Sequence, residues 1–243
     1  MITSNQLGKD LKADSRGDCS LGNALFHIAG VIGIAIKNGY HYGFPEWLQQ
    51  EYFVNPLPKQ TKFTGKNYRI PETYAGFDFG FTGFNVPDNV NIIGELGSYK
   101  YFEHCEDLIR FYFTMRPICE PYKDCILIHY RDYTGWNGWS SLSDYYKKAI
   151  KKLPQKKVIV VTDNIVRASQ AIGMKYEYTS NSPITDFYLL SHADYLVMGN
   201  STFSWWGAYL SKAVTVAPLN WFVDPRINEY LKRDTYLKNW ILI

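Results

Sequence analysis

The sequence lacks the features that define several large classes of protein. Its basic side chains outnumber the acidic ones by only 26 to 23, which is no excess of the kind that marks a nucleic-acid-binding protein. No run approaches the ~18 consecutive apolar residues of a membrane span, and the polar segment 1–18 lacks the apolar stretch of a signal peptide. We therefore expect a soluble, cytoplasmic, globular protein with no transmembrane segment and no nucleic-acid partner.

Several signatures of catalytic and metal sites are also missing. The four cysteines have no CxxC spacing, and the cysteines and histidines together offer no zinc site. There is no GxGxxG after a strand, no GxxxxGK[ST] and no GxSxG, which mark dinucleotide, P-loop and hydrolase sites. No two aspartates stand as Asp-x-Asp, the usual clamp for the metal ion of a sugar-nucleotide diphosphate. We therefore expect neither a bound cofactor nor a metal site.

The sequence does have the composition of a folded protein, with an unusual number of aromatic rings. Its 243 residues are 46% hydrophobic and 20% charged, which suffices for one large domain or two small ones, each with its own core. Tyr, Phe and Trp make up 17% of the chain. We expect most of these rings in the core, with exposed surfaces that stack on sugars, bases or a partner as the alternative.

The first half of the chain predicts a helix followed by irregular structure. Apolar residues recur at three- and four-residue spacing from Leu21 to Ile36, which is the pattern of one helix face. Residues 41–89 are rich in Gly, Pro, Asn and Phe without a sustained period, so we expect short strands and loops there. A strand over 90–94 and a helix over 103–113 follow.

The second half predicts a parallel α/β domain. Short apolar runs at 125–128, 158–161, 195–198 and 213–216 alternate with helical patterns at 143–152, 164–172, 185–192 and 202–211. Continuous apolar strands that alternate with helices indicate a parallel sheet covered on both faces, as in a Rossmann-like domain. The pattern changes near residues 116–123, so we predict an N-terminal domain over 1–118 and a C-terminal domain over 119–243.

Polar side chains follow three of the predicted strands, at the sheet edge where parallel α/β domains bind their ligands. His129, Arg131 and Asp132 follow the first strand, Asp163 follows the second, and the segment 199–204 follows the third. That segment reads Gly199-Asn200-Ser201-Thr202-Phe203-Ser204. A small-residue turn that opens a helix presents N–H groups and hydroxyls that suit a phosphate or diphosphate. The alternative is an ordinary Ser/Thr helix cap.

Each of the other side chains also has two interpretations. Arg131 is either one more surface cation or a guanidinium that binds phosphate oxygens through paired donors. Asp163 either caps the next helix or holds a ribose or a base edge. His129 is either a packed, hydrogen-bonded residue or a catalytic one.

Four segments, in one order along the chain, carry a resemblance to a known family. Ser20-Leu21-Gly22-Asn23-Ala24-Leu25-Phe26 resembles a Gly-Leu-Gly-Asn-Gln-Met-Phe opening, and Gly94-Glu95-Leu96-Gly97-Ser98-Tyr99-Lys100-Tyr101-Phe102, followed by Ile109-Arg110, resembles Gly-Tyr-x-Gln-Ser-x-Lys-Tyr-Phe. Ile128-His129-Tyr130-Arg131-Asp132-Tyr133 resembles His-x-Arg-Arg-Gly-Asp-Tyr. The most specific match is 186–208, which includes Asp186-Phe187-Tyr188 and Asn200-Ser201-Thr202-Phe203-Ser204-Trp205-Trp206. These segments resemble the α-1,2-fucosyltransferases of glycosyltransferase family 11.

The resemblance implies both a fold and a reaction. The fold is α/β and GT-B-like, with two Rossmann-like domains of which the N-terminal one is reduced and binds the acceptor. The reaction is an inverting transfer of L-fucose from GDP-β-L-fucose to a hydroxyl of an oligosaccharide or glycan, such as O2 of a galactoside. GDP-fucose is then a co-substrate, and no metal is required.

The resemblance also implies roles for individual residues. Arg131 would neutralise the departing diphosphate, Ser201-Thr202 would hold the phosphates, and Asp163 would contact guanine or ribose. Gly22 and Asn23 would line the crevice from the N-terminal domain. The residues assigned to the donor are Gly22, Asn23, Arg131, Asp163, Asp186, Asn200, Ser201, Thr202, Phe203 and Ser204.

Two departures from the family pattern concern catalysis. The second arginine and the glycine of the arginine motif are missing, because Asp132 either follows Arg131 directly or stands in place of that arginine. Ala24 replaces the family's glutamine. We assign catalytic roles to Arg131, His129 and Asp132. The candidates for the base that takes the acceptor proton are Asp132, His129 and Asp18, and a loose displacement would need no strong base.

Two other functions stay open on the sequence. The missing arginine and glutamine are consistent with a catalytically weakened relative that binds a nucleotide or a glycan. The other alternative keeps the transferase but changes its donor to another sugar nucleotide. Four tryptophans can either stack on sugar faces or pack within their domains: Trp47, Trp136, Trp139 and Trp221.

Overall fold

A computed structural model describes residues 1–5, 7, 21–61, 63–71, 80–133 and 138–243 of the chain. Contacts between Cα atoms divide the chain into two compact units. The N-terminal unit consists of Met1–Arg116 and Glu229–Tyr236, and the C-terminal unit consists of Pro117–Asn228 and Leu237–Ile243. The N-terminal unit therefore includes a segment from near the end of the chain, which the sequence pattern did not predict.

The helix α1, Leu21–Asn38, lies in the core of the N-terminal unit. Fourteen of its residues are buried, because apolar side chains cover most of its circumference. Gly33 meets the 3₁₀ turn Tyr99–Tyr101, and a Cβ atom on Gly33 would lie only 1.9 Å from the carbonyl oxygen of Tyr101. Glycine is therefore required for this close approach of two backbones.

Among the described residues, α1 is also the one helix that is long and apolar enough to span a bilayer, by length and composition alone. Of its 18 residues, 78% are buried inside the protein, as is usual for the core helix of a folded unit. No uninterrupted apolar run marks α1 in the sequence, because glycine and polar residues lie between its apolar residues.

The N-terminal unit also contains a small parallel sheet. Strand β1, Lys66–Arg69, pairs with β2, Val90–Ile93, and Thr3 forms a parallel bridge with Asn91 of β2. The helix α2, Glu106–Tyr112, follows a 3₁₀ turn at Glu103–Cys105. The predicted strand at 90–94 and helix at 103–113 are thus confirmed, with shorter bounds, and residues 41–61 and 63–69 contain only short elements.

The C-terminal unit is built on a six-stranded parallel sheet. Its strands are β3 Cys125–Tyr130, β4 Lys157–Thr162, β5 Glu177–Thr179, β6 Tyr195–Val197, β7 Val214–Ala217 and β8 Ile241–Leu242. They lie side by side in the order β5-β4-β3-β6-β7-β8. Numbered within the unit, this is the order 3-2-1-4-5-6 of a Rossmann fold.

Helices connect the successive strands of this sheet. They are α3 Ser143–Ile150, α4 Ile165–Ile172, α5 Pro183–Ser191, α6 Thr202–Ser211 and α7 Pro225–Asp234. The buried side chains of α3 and α4 pack on those of β3 and β4, with Tyr146, Ala149 and Ala168 at most 1% exposed. The α5 helix contacts α6. The continuous apolar strands are therefore covered by helices, as their sequence indicated.

The predicted α/β class is confirmed, since both units combine helices with parallel strands, and the described sheet of the N-terminal unit has two strands against six in the C-terminal unit. The four strands and four helices predicted for the second half are all present, with ends that coincide or are shifted by one or two residues. The sequence analysis missed β5, β8 and α7. The two strands are edge strands of two or three residues, and α7 buries only a narrow set of side chains, including Ile227 and Leu231.

Candidate functional site

The strand order places a crevice at the carboxyl ends of β3 and β6. These strands are neighbours in the sheet, and the chain builds the sheet outward from them in two opposite directions. The loops that follow them therefore diverge, and Rossmann-like folds bind ligands in the gap so formed. Arg131 lies at the end of β3 and Gly199 shortly after the end of β6, so the structure brings the predicted polar clusters to one edge.

Arg131 and Asp163 form an ion pair at this edge. The Arg131 Nη1 atom lies 2.8 Å from Asp163 Oδ2, with the two side chains 22% and 34% exposed. The backbone N–H of Asp132 donates to the other carboxylate oxygen of Asp163 at 2.9 Å. Burial raises the pKa of Asp163, and the Arg131 charge opposes that rise. Asp163 thus neutralises the cation that the sequence analysis assigns to the diphosphate.

Asn164, and not Asp163, caps the helix that follows β4. The Asn164 side chain accepts a hydrogen bond from the backbone N–H of Arg167 in the first turn of α4. Its side-chain amide also donates to Asp132 Oδ2 at 2.9 Å. The cap interpretation of Asp163 is therefore wrong, and the Asp132 carboxylate is held beside the end of β4. Its role as a base stays a prediction.

His129 lies inside β3, one residue before its end, and not after the strand as expected. Its side chain is 5% exposed, and its ring packs on that of Phe203 with the centroids 5.3 Å apart. Burial, followed by the Arg131 charge, lowers the pKa of His129 to about 3. The imidazole is therefore neutral and weakly basic at neutral pH, and its catalytic role stays a prediction.

The turn before α6 is held by its own hydroxyl groups. Ser201 is the N-cap of α6, and its side chain accepts from the Phe203 N–H at 3.2 Å. The buried Ser204 hydroxyl accepts from the Gly199 N–H at 3.0 Å. A Cβ on Gly199 would lie 2.8 Å from the carbonyl oxygen of His129, so this turn needs glycine to approach β3. The Ser201 hydroxyl thus has the ordinary capping role, and Thr202 and Phe203 lie half-buried at the helix start.

Asn200 ties three loops together. Its side-chain amide donates to the carbonyl oxygens of Ser140 and Trp221, at 3.2 and 3.1 Å, and the residue is 3% exposed. The Tyr133 hydroxyl donates to the Asn200 carbonyl oxygen at 3.1 Å. The loop after β3 and the turn after β6 are therefore fixed to each other. Sequence spacing could not show this function of Asn200.

Asp186 lies in the first turn of α5 and is 7% exposed. Its carboxylate accepts from the Asn181 side-chain amide at 2.8 Å. Burial raises the pKa of Asp186 to about 6 against these hydrogen bonds, and the Asp163 charge adds to the rise. The assignment of Asp186 to the donor stays a prediction.

Gly22 and Asn23 are in the first turn of α1, in the N-terminal unit. Gly22 is buried and Asn23 is half-buried. Ser20, which opens the matching segment, and the base candidate Asp18 lie outside the described residues.

A cavity of about 240 Å³ lies beside Arg131 in the C-terminal unit. Its described lining includes Asp132, Asn200, the aromatic side chains of Tyr133 and Trp139, and a run of serines in 140–143. The sequence analysis missed this cavity. In the sequence, only the serine-rich stretch before the predicted helix at 143 pointed to this cavity.

Trp47 and Trp221 are buried, at 4% and 1% exposure, which confirms the packing interpretation for them. Trp136 lies outside the described residues.

No group of three or more metal-ligating His, Cys, Asp or Glu side chains was found in the part of the chain that the structure describes.

The family profile described as Glycosyl transferase family 11 matches residues 131–243, and so begins at Arg131. The match covers the Rossmann-like sheet from the end of β3 onward.

Two curated proteins of Escherichia coli are similar over short stretches. An alpha-1,2-colitosyltransferase is 36% identical over 66 residues, which cover 26% of this chain and 22% of that protein. The O-antigen biosynthesis glycosyltransferase WbnK is 32% identical over 92 residues, which cover 32% of this chain and 30% of that protein. The matched stretches thus span less than a third of either relative.

Solved structures of the fucosyltransferase NodZ are similar to this chain. The crystal structure of NodZ alpha-1,6-fucosyltransferase soaked with GDP-fucose has a TM-score of 0.48 and 16% identity, covering 78% of this chain and 89% of that one. The structure of NodZ from Bradyrhizobium has the same TM-score and identity, covering 78% and 88%.

Proposed function

Because the profile of glycosyltransferase family 11 matches residues 131–243, we propose that this chain is a fucosyltransferase of that family. The proposed reaction is an inverting, metal-independent transfer of L-fucose from GDP-β-L-fucose to a hydroxyl of a glycan acceptor. O2 of a galactoside is the acceptor atom that the family resemblance implies. We further propose that the protein acts in the cytoplasm.

The observation that supports this proposal most directly is the Arg131–Asp163 pair at the crevice of the Rossmann sheet. A guanidinium presents paired N–H donors that match two phosphate oxygens. A carboxylate at the end of the second strand is where Rossmann folds bind ribose hydroxyls. A GDP moiety would use both groups, with its diphosphate on Arg131 and its nucleoside at Asp163.

In the proposed reaction, Arg131 binds the diphosphate of the leaving GDP. The acceptor oxygen attacks the anomeric carbon, and the bond from that carbon to the diphosphate breaks with its electron pair passing to the GDP oxygen. The acceptor proton leaves to Asp132 or to solvent. Arg131 stabilises the charge that grows on the diphosphate, and the backbone N–H groups at the start of α6 add to this stabilisation.

Calorimetric titration of GDP in the presence of EDTA tests the donor site. We expect metal-free binding to the wild type and about tenfold or greater weakening in Arg131→Ala, the loss of a charge-assisted hydrogen bond. Arg226→Ala is the control, because it removes an exposed guanidinium paired with Asp224 in the same unit. Equal GDP affinities of Arg131→Ala and Arg226→Ala would show that Arg131 does not bind the diphosphate.

Release of GDP from GDP-fucose, with a galactoside present, tests turnover. Binding without release would favour a relative that only binds its nucleotide or glycan. Colitose is the second candidate for the transferred sugar, because one similar protein is named as a colitosyltransferase. A panel of GDP-fucose, GDP-colitose, UDP-sugars and CMP-sugars separates these donors, and a preference for a uridine sugar would contradict the GDP assignment.

A further inference from the structure

No ligand has been assigned so far to the cavity beside Arg131. Its volume of about 240 Å³ is below the ~300–1,000 Å³ of pockets that hold drug-sized ligands. It is therefore too small for a whole nucleotide sugar and suits a single ring.

The lining of the cavity combines aromatic rings with hydroxyl groups. Tyr133 and Trp139 stack on each other with their centroids 4.1 Å apart and their planes 6° from parallel. The Tyr133 hydroxyl is anchored to the Asn200 carbonyl oxygen, so the ring pair has a fixed position. Three serines also line the cavity: Ser140, Ser141 and Ser143. Serine hydroxyls both donate and accept hydrogen bonds, as a ligand with several hydroxyls and an apolar ring face requires.

The position of the cavity relates it to one end of a nucleotide sugar. Such a donor is linear, with the diphosphate between the nucleoside and the sugar. Arg131 and Asn200 line the cavity, whereas Asp163 is absent from the described lining, which includes Ala171 in the last turn of α4 but no residue of β4. If the nucleoside is at Asp163 and the diphosphate at Arg131, then the cavity is open to the opposite end of the donor.

We propose that this cavity binds the sugar ring of the donor, with the Tyr133–Trp139 pair as its apolar wall and Ser143 as a hydroxyl partner. This inference rests on the proposed function and adds the subsite that selects the transferred sugar. A site that hydrogen-bonds a substrate hydroxyl discriminates strongly against an analogue that lacks it. Colitose lacks one ring hydroxyl of L-fucose, so this subsite would separate the two candidate donors.

Two variants of Ser143 test the subsite. Ser143 is the first residue of α3 and not its N-cap, so its replacement removes no helix cap. Ser143→Ala deletes the hydroxyl, and Ser143→Phe fills the cavity. We expect the ratio of GDP-fucose affinity to GDP affinity, measured by calorimetry without acceptor, to fall several-fold in Ser143→Ala. In Ser143→Phe it should fall about tenfold or more.

Ser169→Ala and Ser169→Phe are the matched controls, because the Ser169 hydroxyl donates to the Val166 carbonyl oxygen within α4. An unchanged affinity ratio in both Ser143 variants, with normal GDP binding, would overturn the cavity assignment and leave the proposed function intact. Failure of the wild type to bind GDP would overturn the proposed function itself. Loss of galactoside binding in Ser143→Phe, with GDP-fucose binding unchanged, would assign the cavity to the acceptor and so contradict the proposal.

Discussion

At the scale of single residues, the cation at the carboxyl end of β3, Arg131, is already paired with Asp163. A partly exposed ion pair such as Arg131–Asp163 contributes only about 0–1 kcal/mol. A charge-assisted hydrogen bond to a phosphate contributes roughly 1.5–3 kcal/mol. Under the proposed function, a diphosphate would therefore displace Asp163 from Arg131 at little cost, and the carboxylate would become available to the nucleoside.

This exchange predicts opposite effects of Asp163→Asn on two ligands. Inorganic pyrophosphate should bind several-fold more tightly, because Arg131 loses its competing anion. GDP should bind more weakly, because the nucleoside loses a carboxylate partner. Titration of both ligands in one buffer measures the two changes, and a parallel change in both affinities would contradict the exchange.

Asp186 predicts a pH dependence of stability. Burial raises its pKa in the folded state from 3.8 to about 6, so the folded protein binds more protons than the unfolded chain between those values. The contribution of Asp186 to the free energy of unfolding therefore falls as the pH rises from about 4 to 6, by roughly 2–3 kcal/mol in total.

Asp186→Asn should remove this dependence and raise the stability near pH 7, while Asn181 keeps an oxygen acceptor. Urea unfolding of both proteins at several values between pH 4 and 7 gives the difference curve. A curve that is flat over this range would show that Asp186 ionises in the folded state as freely as in the unfolded chain.

At the scale of elements, α1 owes its position to glycine as much as to its apolar residues. A Cβ on Gly33 would overlap the Tyr101 backbone, whereas a Cβ on Gly30 would meet the side chain of Leu96, at 2.8 Å or more. Gly33→Ala should therefore destabilise the protein by about 3 kcal/mol, despite the higher helix propensity of alanine. Gly30→Ala is the control with the smaller expected loss, and comparable unfolding midpoints would contradict the packing argument.

The ends of β3 show why element bounds could be predicted only approximately. The apolar run stops at Ile128, but the strand continues because His129 pairs with Val161 and Tyr130 with Thr162 of β4. The neighbouring strand, and not the local pattern, decides this length. The burial of His129 follows from it, and the sequence could not show it.

At the scale of the whole molecule, the segment Glu229–Tyr236 joins the N-terminal unit through Asp234. The Asp234 carboxylate is 2% exposed and lies 2.8 Å from Lys100 Nζ and 2.6 Å from Arg233 Nη2. Ser98 donates to the Asp234 carbonyl oxygen at 2.5 Å. Ser98 and Lys100 belong to one of the motifs that resemble the family, so the structure gives that motif a packing role.

Asp234→Asn should lower the free energy of unfolding by about 2 kcal/mol, because it removes the charge that two cations share in a buried position. Asp224→Asn is the control. Asp224 pairs with Arg226, which is 69% exposed, and such surface pairs contribute about 0–1 kcal/mol. Chemical unfolding of both variants measures the difference, and equal losses would mean that Asp234 is held no more firmly than a surface carboxylate.

The sequence by itself determined the α/β class, the alternation of strands and helices in the second half, and the polar residues at the strand ends. It could do so because the period of apolar residues sets each element, and a parallel sheet presents its strand ends at one edge. Only the tertiary structure decided that Asp163 faces Arg131, that Asn200 ties the loops, and that Asp234 lies with Lys100. These contacts join residues 21 to 134 positions apart, and no local pattern encodes a partner so distant along the chain.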